Sequence, residues 1–413
     1  MSRPNIVLVT IDEVRPDHLS CYEPSAVQTP SLERIAEDGV LFEEVISSSC
    51  LTPISHASIL TGLNPPNHGV RSPFGKLQRR TIAERLQAEG YETAAFVGVN
   101  LLGRATGFSR GFAFFDEPTT RTSWRETSYG DERPVLWGNE CSRSLFSWLE
   151  HNRGAPFFLW THYFECHEGA EKHLLREGVL AEGHLAAFCY YDAKIRLMDS
   201  VLIDRLLCAL RALGLERRTH LVITSDHGTN LGEHALPFNE TLGIRYPQHV
   251  TLHDCDLRVP LILKGPGLPS GKRIPGMARS IDIAPTILEM CGMDADGLDG
   301  VSLLPSIERG EQTRHLTAYA EELFRSRGPG DYQCVRDAAY KLIIDRRSNT
   351  ELLYDLLESP NEEAPLDSLS AGEQRLAANW RRYCDSALEL PAEDLSGDDR
   401  QRIVSRLRHL GYI

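Results

Sequence analysis

Hydrophobic and polar residues alternate along the chain in blocks that predict strands and helices in turn. Short apolar and β-branched runs that end in polar residues are typical of buried strands. There are five such runs: Asn5–Ile11, Thr93–Val99, Pro156–Thr161, His220–Thr224 and Val259–Leu263. Segments with apolar residues at three- and four-residue steps predict helices. They cover Ser31–Asp38, Arg80–Glu89 and Asp192–Leu213.

This alternation of strands and helices predicts an α/β fold with a mostly parallel central sheet flanked by helices. After about residue 315 the pattern changes to two predicted hairpin strands, 334–345 and 351–357, followed by a charged helical segment at 366–413. We therefore predict a catalytic α/β domain over residues 1–315 and a small C-terminal α+β subdomain over residues 316–413.

Two further segments lack a strand or helix pattern. Residues 118–134 are rich in Thr, Arg, Ser, Glu and Asp, which is typical of a surface insertion. Residues 264–278 are rich in glycine and proline and predict a loop.

The charge balance restricts the partners. The 413 residues carry a formal net charge of -14, which argues against nucleic acid because a phosphate backbone needs a basic face. A small anionic ester is compatible with an acidic protein if a metal makes the site locally positive. Dimers are the commonest oligomers, so a homodimer is the expected assembly.

The distribution of apolar residues and cysteines bears on location. No run of 18 apolar residues occurs, and the first apolar run, Ile6–Ile11, is too short for a signal peptide. The ten cysteines form no CxxC pair, so a zinc-finger site is not expected. We expect a cytoplasmic protein that has no contact with membranes.

Acidic and histidine residues come after two of the predicted strands. Asp12 and Glu13 lie directly after the first strand, and Asp226 and His227 lie after the strand that ends at Thr224. Ligands bind at the carboxyl ends of strands in open α/β sheets. Mixed oxygen and nitrogen ligands suit Zn or Mn better than Ca. The pattern predicts a divalent metal site, although each pair taken alone is also compatible with an ordinary polar turn.

Thr52 precedes a proline at the expected start of a helix that runs to about Leu60 and stops near Gly62. Free N–H groups and the helix dipole favour an anion at this position. A hydroxyl beside a divalent metal is an activated nucleophile. The alternative is a simple helix cap, the usual role of threonine before a helix.

Taken together, these features resemble the alkaline phosphatase superfamily, in particular its sulfatase-like branch. The nucleophile motif of that family ends in Thr-Gly, and counting back nine residues from Thr61 gives Thr52, with Ser55 and His56 in register. Other segments with the same resemblance occur in order along nearly the whole chain. They are residues 90–97, 107–112, 156–167, 225–234, 258–262, 282–288, 340–343 and 353–362.

The resemblance implies an ester hydrolase and assigns a role to each matching position. It implies that a divalent ion is held by Asp12, Glu13, Asp226 and His227, with Thr52 as nucleophile and further ligand. One metal site is expected, and a second remains open.

The same resemblance adds three histidines to the catalytic set. His56 stands at the position of the motif's arginine. His167 would contact the leaving-group oxygen or donate a proton to it. His249, for which Gln248 is a competitor, would contact the anionic group.

Three departures move the prediction away from true sulfatases. Sulfatases convert a Cys or Ser nucleophile into formylglycine, which Thr52 cannot form because its β-carbon carries a methyl group. His56 replaces the usual arginine, and residues 97–100 replace a Gly-Lys-Trp-His segment. Glu13 also stands where the family has an aspartate.

We therefore predict a metal-dependent hydrolase of phosphodiesters, phosphomonoesters or phosphonate esters that acts through a covalent Thr52 intermediate. Three alternatives remain open at this point: a sulfatase that works without formylglycine, a phosphoryl transferase, and a non-catalytic member of the family. The substrate itself is not encoded, because specificity in such proteins depends on loops.

Overall fold

The computed structural model describes residues 3–117, 137–151, 154–167, 187–234, 251–311, 315–323 and 331–389, and six isolated positions between 395 and 404. The predicted surface insertion at 118–134 lies outside these residues. Among the described helices, none is both long and apolar enough to span a membrane.

An eight-stranded sheet forms the centre of the protein, in the order β4-β3-β5-β1-β6-β7-β2-β8. All neighbouring strands are parallel except that β7 runs antiparallel to β6 and β2. This confirms the predicted α/β class. The strands are β1 (Asn5–Ile11), β2 (Val40–Ile46), β3 (Glu92–Val97), β4 (Phe114–Asp116), β5 (Phe157–Tyr163), β6 (Thr219–Ser225), β7 (Leu261–Lys264) and β8 (Lys272–Arg279).

Helices cover both faces of this sheet. Within β1, Ile6 and Leu8 belong to one hydrophobic core, whereas Val7 and Val9 belong to the other. Burial on both faces explains why the strand is an unbroken apolar run rather than an alternating one. The described α-helices before the small domain are α1 (Pro30–Glu37), α2 (Thr52–Thr61), α3 (Pro65–His68), α4 (Ile82–Ala88), α5 (Trp137–His151), α6 (Ala187–Leu197), α7 (Asp204–Ala212), α8 (Asp254–Leu257), α9 (Ile283–Met290) and α10 (Leu304–Arg309).

The predicted helix over Asp192–Leu213 is helical throughout, but a π-helical segment, Met198–Ile203, joins α6 to α7. Asp199 in this segment accepts hydrogen bonds from the backbone N–H groups of Ser31 and Leu32. It therefore satisfies the first turn of α1, whose own N-cap residue makes no side-chain cap.

A four-stranded antiparallel sheet comes next along the chain, in the order β12-β11-β10-β9. Its strands are β9 (Ala318–Glu322), β10 (Tyr332–Arg336), β11 (Tyr340–Asp345) and β12 (Thr350–Asp355). Helix α11 (Ala371–Leu388) packs on one face through Trp380 and Cys384. The sheet and helix match the predicted small α+β unit, while the domain boundary at residues 315 and 316 stays a prediction.

Three details of the predicted elements were wrong. The segment 334–345 is not one strand but parts of two, because the Asp337 carboxylate accepts the N–H groups of Ala339 and Tyr340 and forms a turn. Strand β8 begins within the predicted loop 264–278 and ends one residue after it, since an edge strand tolerates its proline and glycine. Strand β2 was missed, because Glu43 and Glu44 interrupt its apolar run.

Candidate active site

Strand pairing brings the two predicted acidic sites together. Strands β1 and β6 are adjacent and parallel, with Ile11 opposite Ser225. Asp12 and Asp226 therefore leave the sheet side by side at its carboxyl edge, and both side chains are fully buried. The Asp226 Oδ1 accepts hydrogen bonds from the backbone N–H groups of Glu13 (3.2 Å) and His227 (2.9 Å). This oxygen is thereby held in place while Oδ2 has no hydrogen-bond partner among the described residues.

Thr52 lies at the first residue of α2 and faces the same edge. Leu51 is the N-cap, and no side-chain cap is present there, so Thr52 does not serve as the helix cap. Its hydroxyl donates to Asp12 Oδ1 at 3.2 Å and lies 3.4 Å from His227 Nε2. The helix is anchored to the end of β6 because the Ser55 hydroxyl donates to the Asp226 carbonyl oxygen at 2.6 Å.

His227 presents a lone pair to this group. Its Nδ1 lies 2.8 Å from the Gly228 carbonyl oxygen, which can only accept, so Nδ1 carries the proton. The Nε2 atom is therefore an acceptor, and it lies 3.5 Å from Asp226 Oδ2. Such orientation of the second nitrogen by a backbone carbonyl is typical of metal-binding histidines.

The chemistry of these donors fits a divalent ion. One ligand atom each from Asp12, Asp226 and His227 lies within 4.8 Å of the others, and the Thr52 hydroxyl lies against two of the three. Two carboxylates, an imidazole and a hydroxyl suit Zn or Mn. The Asp12 Oδ2 and Asp226 Oδ2 atoms are buried without a hydrogen-bond partner among the described residues, which is costly unless a cation is bound.

Glu13 and His167 form a second group beside Asp12. Glu13 has a left-handed backbone, with φ 58°, and the Tyr191 hydroxyl donates to its carbonyl oxygen at 2.5 Å. Its Oε1 lies 3.4 Å from His167 Nε2, and both side chains are buried. Lys194 donates from Nζ to the His167 carbonyl oxygen at 3.1 Å, which ties the loop after β5 to helix α6.

His56 Nδ1 lies 3.6 Å from Asp226 Oδ2, but both of its ring nitrogens have hydrogen-bond partners outside the metal group. Its Nδ1 lies 2.8 Å from the Thr52 carbonyl oxygen and must donate to it. Its Nε2 lies 2.9 Å from the Thr10 hydroxyl. Burial lowers the pKa of His56, so the ring is neutral and Nε2 accepts the Thr10 proton. His56 thus connects helix α2 to strand β1.

His162 completes this chain of hydrogen bonds and was missed by the sequence analysis. The Thr10 hydroxyl, which donates to His56, accepts from Trp160 Nε1 at 3.1 Å and lies 3.0 Å from His162 Nδ1. His162 Nδ1 must therefore donate, which leaves its Nε2 as a lone pair 3.8 Å from Asp12 Oδ1. The signal available in the sequence was its place directly after the predicted strand Pro156–Thr161, whereas its pairing with Thr10 is seen only in the structure.

Burial and like charge dominate the electrostatics of the group. Burial, together with Asp226 and Glu13, raises the pKa of Asp12 well above its usual value. Burial also raises the pKa of Asp226, but His227, His56 and His162 outweigh it and lower that pKa overall. Burial holds the pKa of His162 well below its usual value. Neutral imidazoles are the form that binds metals.

The last predicted catalytic position lies outside the described residues, and three further histidines lie apart from this group. His249 and its competitor Gln248 belong to 235–250, which is not described. His234 and His253 stack on each other with ring centroids 3.8 Å apart. His68 Nε2 lies 3.0 Å from the Ser58 hydroxyl oxygen, within hydrogen-bond distance.

Comparison with known proteins agrees with this geometry. The family model described as "Sulfatase" matches residues 4–293, and one described as "N-sulphoglucosamine sulphohydrolase, C-terminal" matches residues 245–376. The chain is 24% identical to the multifunctional alkaline phosphatase superfamily protein PehA of Trinickia caryophylli, covering 94% of this chain and 95% of that protein. It is 32% identical to N-acetylglucosamine-6-sulfatase of Homo sapiens, covering 79% and 68%.

Solved structures show the same fold. The phosphonate monoester hydrolase of Agrobacterium radiobacter superposes with a TM-score of 0.72 at 21% identity, and the match covers 93% of this chain and 95% of that one. Enzymes of this superfamily use divalent metals, as the donor set above would allow. The chain therefore belongs to the sulfatase family and is a hydrolase of the sulfatase and alkaline phosphatase superfamily.

Proposed function

We propose that this protein is a metal-dependent hydrolase of phosphate-type esters and that Thr52 forms the covalent intermediate. Phosphodiesters, phosphomonoesters and phosphonate esters are the candidate substrates. The observation that carries the proposal is the Thr52 hydroxyl at the start of α2, 3.2 Å from Asp12 Oδ1 and 3.4 Å from His227 Nε2. A small anionic ester remains the proposed partner, whereas the cytoplasmic location and the homodimer stay predictions.

Asp12, Asp226 and His227 would hold a divalent ion, which would supply Lewis acidity and positive charge to the ester. The protein supplies position and a path for the proton. The Thr52 hydroxyl already donates to Asp12, and the first-turn N–H groups of α2 favour an anion in front of it.

The proposed reaction has two balanced steps. In the first, Thr52 Oγ1 forms a bond to phosphorus, the bond from phosphorus to the leaving oxygen breaks, and the Thr52 proton passes to Asp12. The leaving oxygen takes a proton from His167 or from solvent. In the second step, a water oxygen bonds to phosphorus and the water gives one proton to His167 or to solvent, the bond to Oγ1 breaks, and Oγ1 takes back the proton held by Asp12.

The side chain at position 52 favours phosphorus esters over sulfate esters. Formylglycine requires a β-carbon that can become an aldehyde, and the β-carbon of Thr52 carries a methyl group. A direct attack by the threonine hydroxyl remains available. Sulfate-ester hydrolysis without formylglycine is the second candidate, which the match to the sulfatase family favours. Transfer of the Thr52-bound group to an acceptor other than water is the third.

A substrate panel tests the proposal. The purified protein, loaded with Zn²⁺ or Mn²⁺, is assayed with aryl phosphomonoesters, phosphodiesters, phosphonate esters and sulfates, next to Thr52→Ala. We expect turnover of a phosphorus ester, loss of that turnover in the variant, and a phosphorylated Thr52 peptide in quenched wild-type enzyme. Turnover of sulfates alone, or full turnover by a folded and metal-loaded Thr52→Ala protein, would contradict the proposal.

A further inference from the structure

Helix α8 contacts the loop that carries His227. The backbone N–H of Gly228 donates to the Asp256 carbonyl oxygen at 2.8 Å. The two segments lie so close that a Cβ on Gly228 would come to 2.1 Å from the Cys255 carbonyl oxygen. The Gly228 carbonyl oxygen in turn accepts the Nδ1 proton of His227. The position of α8 therefore influences where the His227 ring presents Nε2 to the metal group.

The same helix contacts the segment that leads into α2. The Leu257 carbonyl oxygen accepts the backbone N–H of Ser47 at 2.8 Å. The Ser47 hydroxyl oxygen lies 2.6 Å from the Asp226 carbonyl oxygen and 3.1 Å from the Ser55 hydroxyl oxygen. Ser55 belongs to the first turn of α2, which begins with Thr52. One turn of helix is thus connected to both segments that carry Asp226 and Thr52.

Helix α8 depends on other parts of the chain for its position. It has four residues, and so short a helix is not stable through its own hydrogen bonds. Its N-cap residue, His253, makes no side-chain cap. Instead, Oε2 of the buried Glu362 carboxylate accepts the backbone N–H of Asp254, the first residue of α8, at 2.5 Å. Glu362 lies beyond β12, so the segment that follows the four-stranded sheet satisfies the first turn of α8.

Two cations of the four-stranded sheet bind the side chain of Asp254. Arg336 in β10 and Lys341 in β11 are directly opposite each other in the antiparallel register, and both are buried. Like charges at such positions repel each other, but Lys341 donates to Asp254 Oδ1 at 2.8 Å and Arg336 donates to Oδ2. Burial raises the pKa of Asp254, but Arg336 and Lys341 outweigh it and lower that pKa overall. The carboxylate therefore stays charged at neutral pH.

Lys341 also connects this carboxylate to the cap of α8. Its Nζ lies 2.8 Å from Glu362 Oε1 and 2.8 Å from Asp254 Oδ1. Both the side chain and the backbone N–H of Asp254 are therefore held by the four-stranded sheet and the segment after it. Separation of these partners would leave buried charges unpaired, which is costly. The network thus resists movement of α8 relative to the four-stranded sheet.

We propose that Arg336, Lys341 and Glu362 are positioning residues for the metal group. They fix α8, and the backbone of α8 fixes the loop that carries His227. The proposal rests on the metal site of the proposed function but on no particular ester. It predicts that a change in the C-terminal part of the chain, away from every proposed ligand, weakens metal binding.

The alternative is that these ion pairs only hold the two sheets together. A second buried pair separates the two roles, because Arg71 binds Glu321 of β9 at 2.6 Å and neither residue belongs to α8. Loss of either the Arg71 pair or the Lys341 network should lower the free energy of unfolding. Only loss of the Lys341 network should loosen the His227 loop in a protein that remains folded.

Hydrogen exchange of the full-length protein, with and without chelator, tests the proposal. Mass spectrometry follows peptides that cover residues 226–230 and β1, and exchange of the central strand β1 reports opening of the whole sheet. In Lys341→Met and Glu362→Ala, exchange at 226–230 should rise at least about tenfold while β1 keeps its wild-type rate. Titration with Mn²⁺ should give an affinity at least about tenfold weaker than that of the wild type in both variants. Arg71→Met is the matched control and should show neither change.

Circular dichroism would confirm that each variant is folded, and Glu362→Ala provides the test if Lys341→Met does not fold. The positioning role would be overturned by wild-type exchange at 226–230, by an equal rise in β1, by wild-type Mn²⁺ affinity, or by the same selective rise in Arg71→Met. Failure of the metal site itself would appear as no Mn²⁺ binding by the wild type, and failure of ester hydrolysis only in the substrate panel. Exchange in chelator depends on neither, so the failures are distinguishable.

Discussion

The Thr52 hydroxyl donates to Asp12 Oδ1 at 3.2 Å although 40 residues separate the two along the chain. Asp12 lies directly after the central strand β1, and Thr52 begins α2, which packs over the same edge of the sheet. The contact places a hydroxyl nucleophile against a buried carboxylate whose pKa is raised by burial and by Asp226 and Glu13. It is the geometric basis of the proposed covalent step.

Thr52→Ser should retain turnover of the best phosphorus ester within about tenfold, since it keeps the oxygen that bonds to phosphorus. Thr52→Ala should lose at least about 10³-fold in kcat. Steady-state kinetics with equal metal content in all three proteins would measure both effects. Equal rates for Ser and Ala variants would contradict a nucleophilic role.

Removal of metal should abolish turnover and lower stability. Burial raises the pKa of Asp12, and the nearby Asp226 carboxylate raises it further by charge repulsion. An ion bound only to the folded state stabilises it by mass action. Thermal unfolding should therefore shift to lower temperature with chelator and recover with Zn²⁺ or Mn²⁺. An unchanged melting temperature in chelator would argue against a bound ion.

Gly228→Ala should weaken metal binding by at least about tenfold, because it displaces the loop that carries His227. An alanine Cβ at this position would lie 2.1 Å from the Cys255 carbonyl oxygen. Gly154→Ala is the matched control, since nothing lies within 4 Å of the added carbon there. Titration of stripped protein with Mn²⁺ would compare the two. Wild-type affinity in Gly228→Ala would show that the loop adapts.

Arg71→Ala should destabilise the protein by about 3–5 kcal/mol, since it leaves the buried Glu321 carboxylate without its cationic partner. Arg71 binds that carboxylate at 2.6 Å through two nitrogens. Arg273→Ala removes a comparable but exposed ion pair with Glu43, for which we expect less than about 1 kcal/mol. Denaturant unfolding of both variants gives the comparison. Similar losses of unfolding free energy in the two variants would show that burial adds nothing to the stabilisation by the Arg71–Glu321 pair.

Asp256→Asn should gain stability relative to the wild type as pH rises from about 4 to about 6. Burial raises the pKa of Asp256 to about 6 from an ordinary 3.8. As pH rises, the Asp256 carboxyl group loses its proton at a lower pH in the unfolded state than in the folded state. Rising pH through this window therefore lowers the wild-type free energy of unfolding by up to about 3 kcal/mol. Below pH 4 this cost is absent, and above pH 6 it is complete. Urea unfolding of chelated protein at pH 4 and pH 7.5 measures the difference, and parallel pH profiles would contradict it.

Much of the fold could be predicted from local patterns. The apolar run of β1 was predicted at its observed bounds, Asn5–Ile11, because burial on both faces leaves no polar position. Helix α2 was predicted from the proline after Thr52 and from Gly62, which adopts φ 69° at the helix end. The strand β8 was missed, because pairing with the edge of β2 rather than its own composition makes it a strand.

The sequence alone determined that Asp12, Asp226 and His227 lie at one edge of the sheet, because parallel strands all direct their C-terminal residues to the same edge. Only the tertiary structure decided that Glu13 and His167 group with Asp12 apart from Asp226 and His227, and that His56 and His162 both contact the Thr10 hydroxyl. Periodicity is a local property of the chain. Side-chain contacts between β1, β5 and α2 depend instead on register and packing across more than a hundred residues.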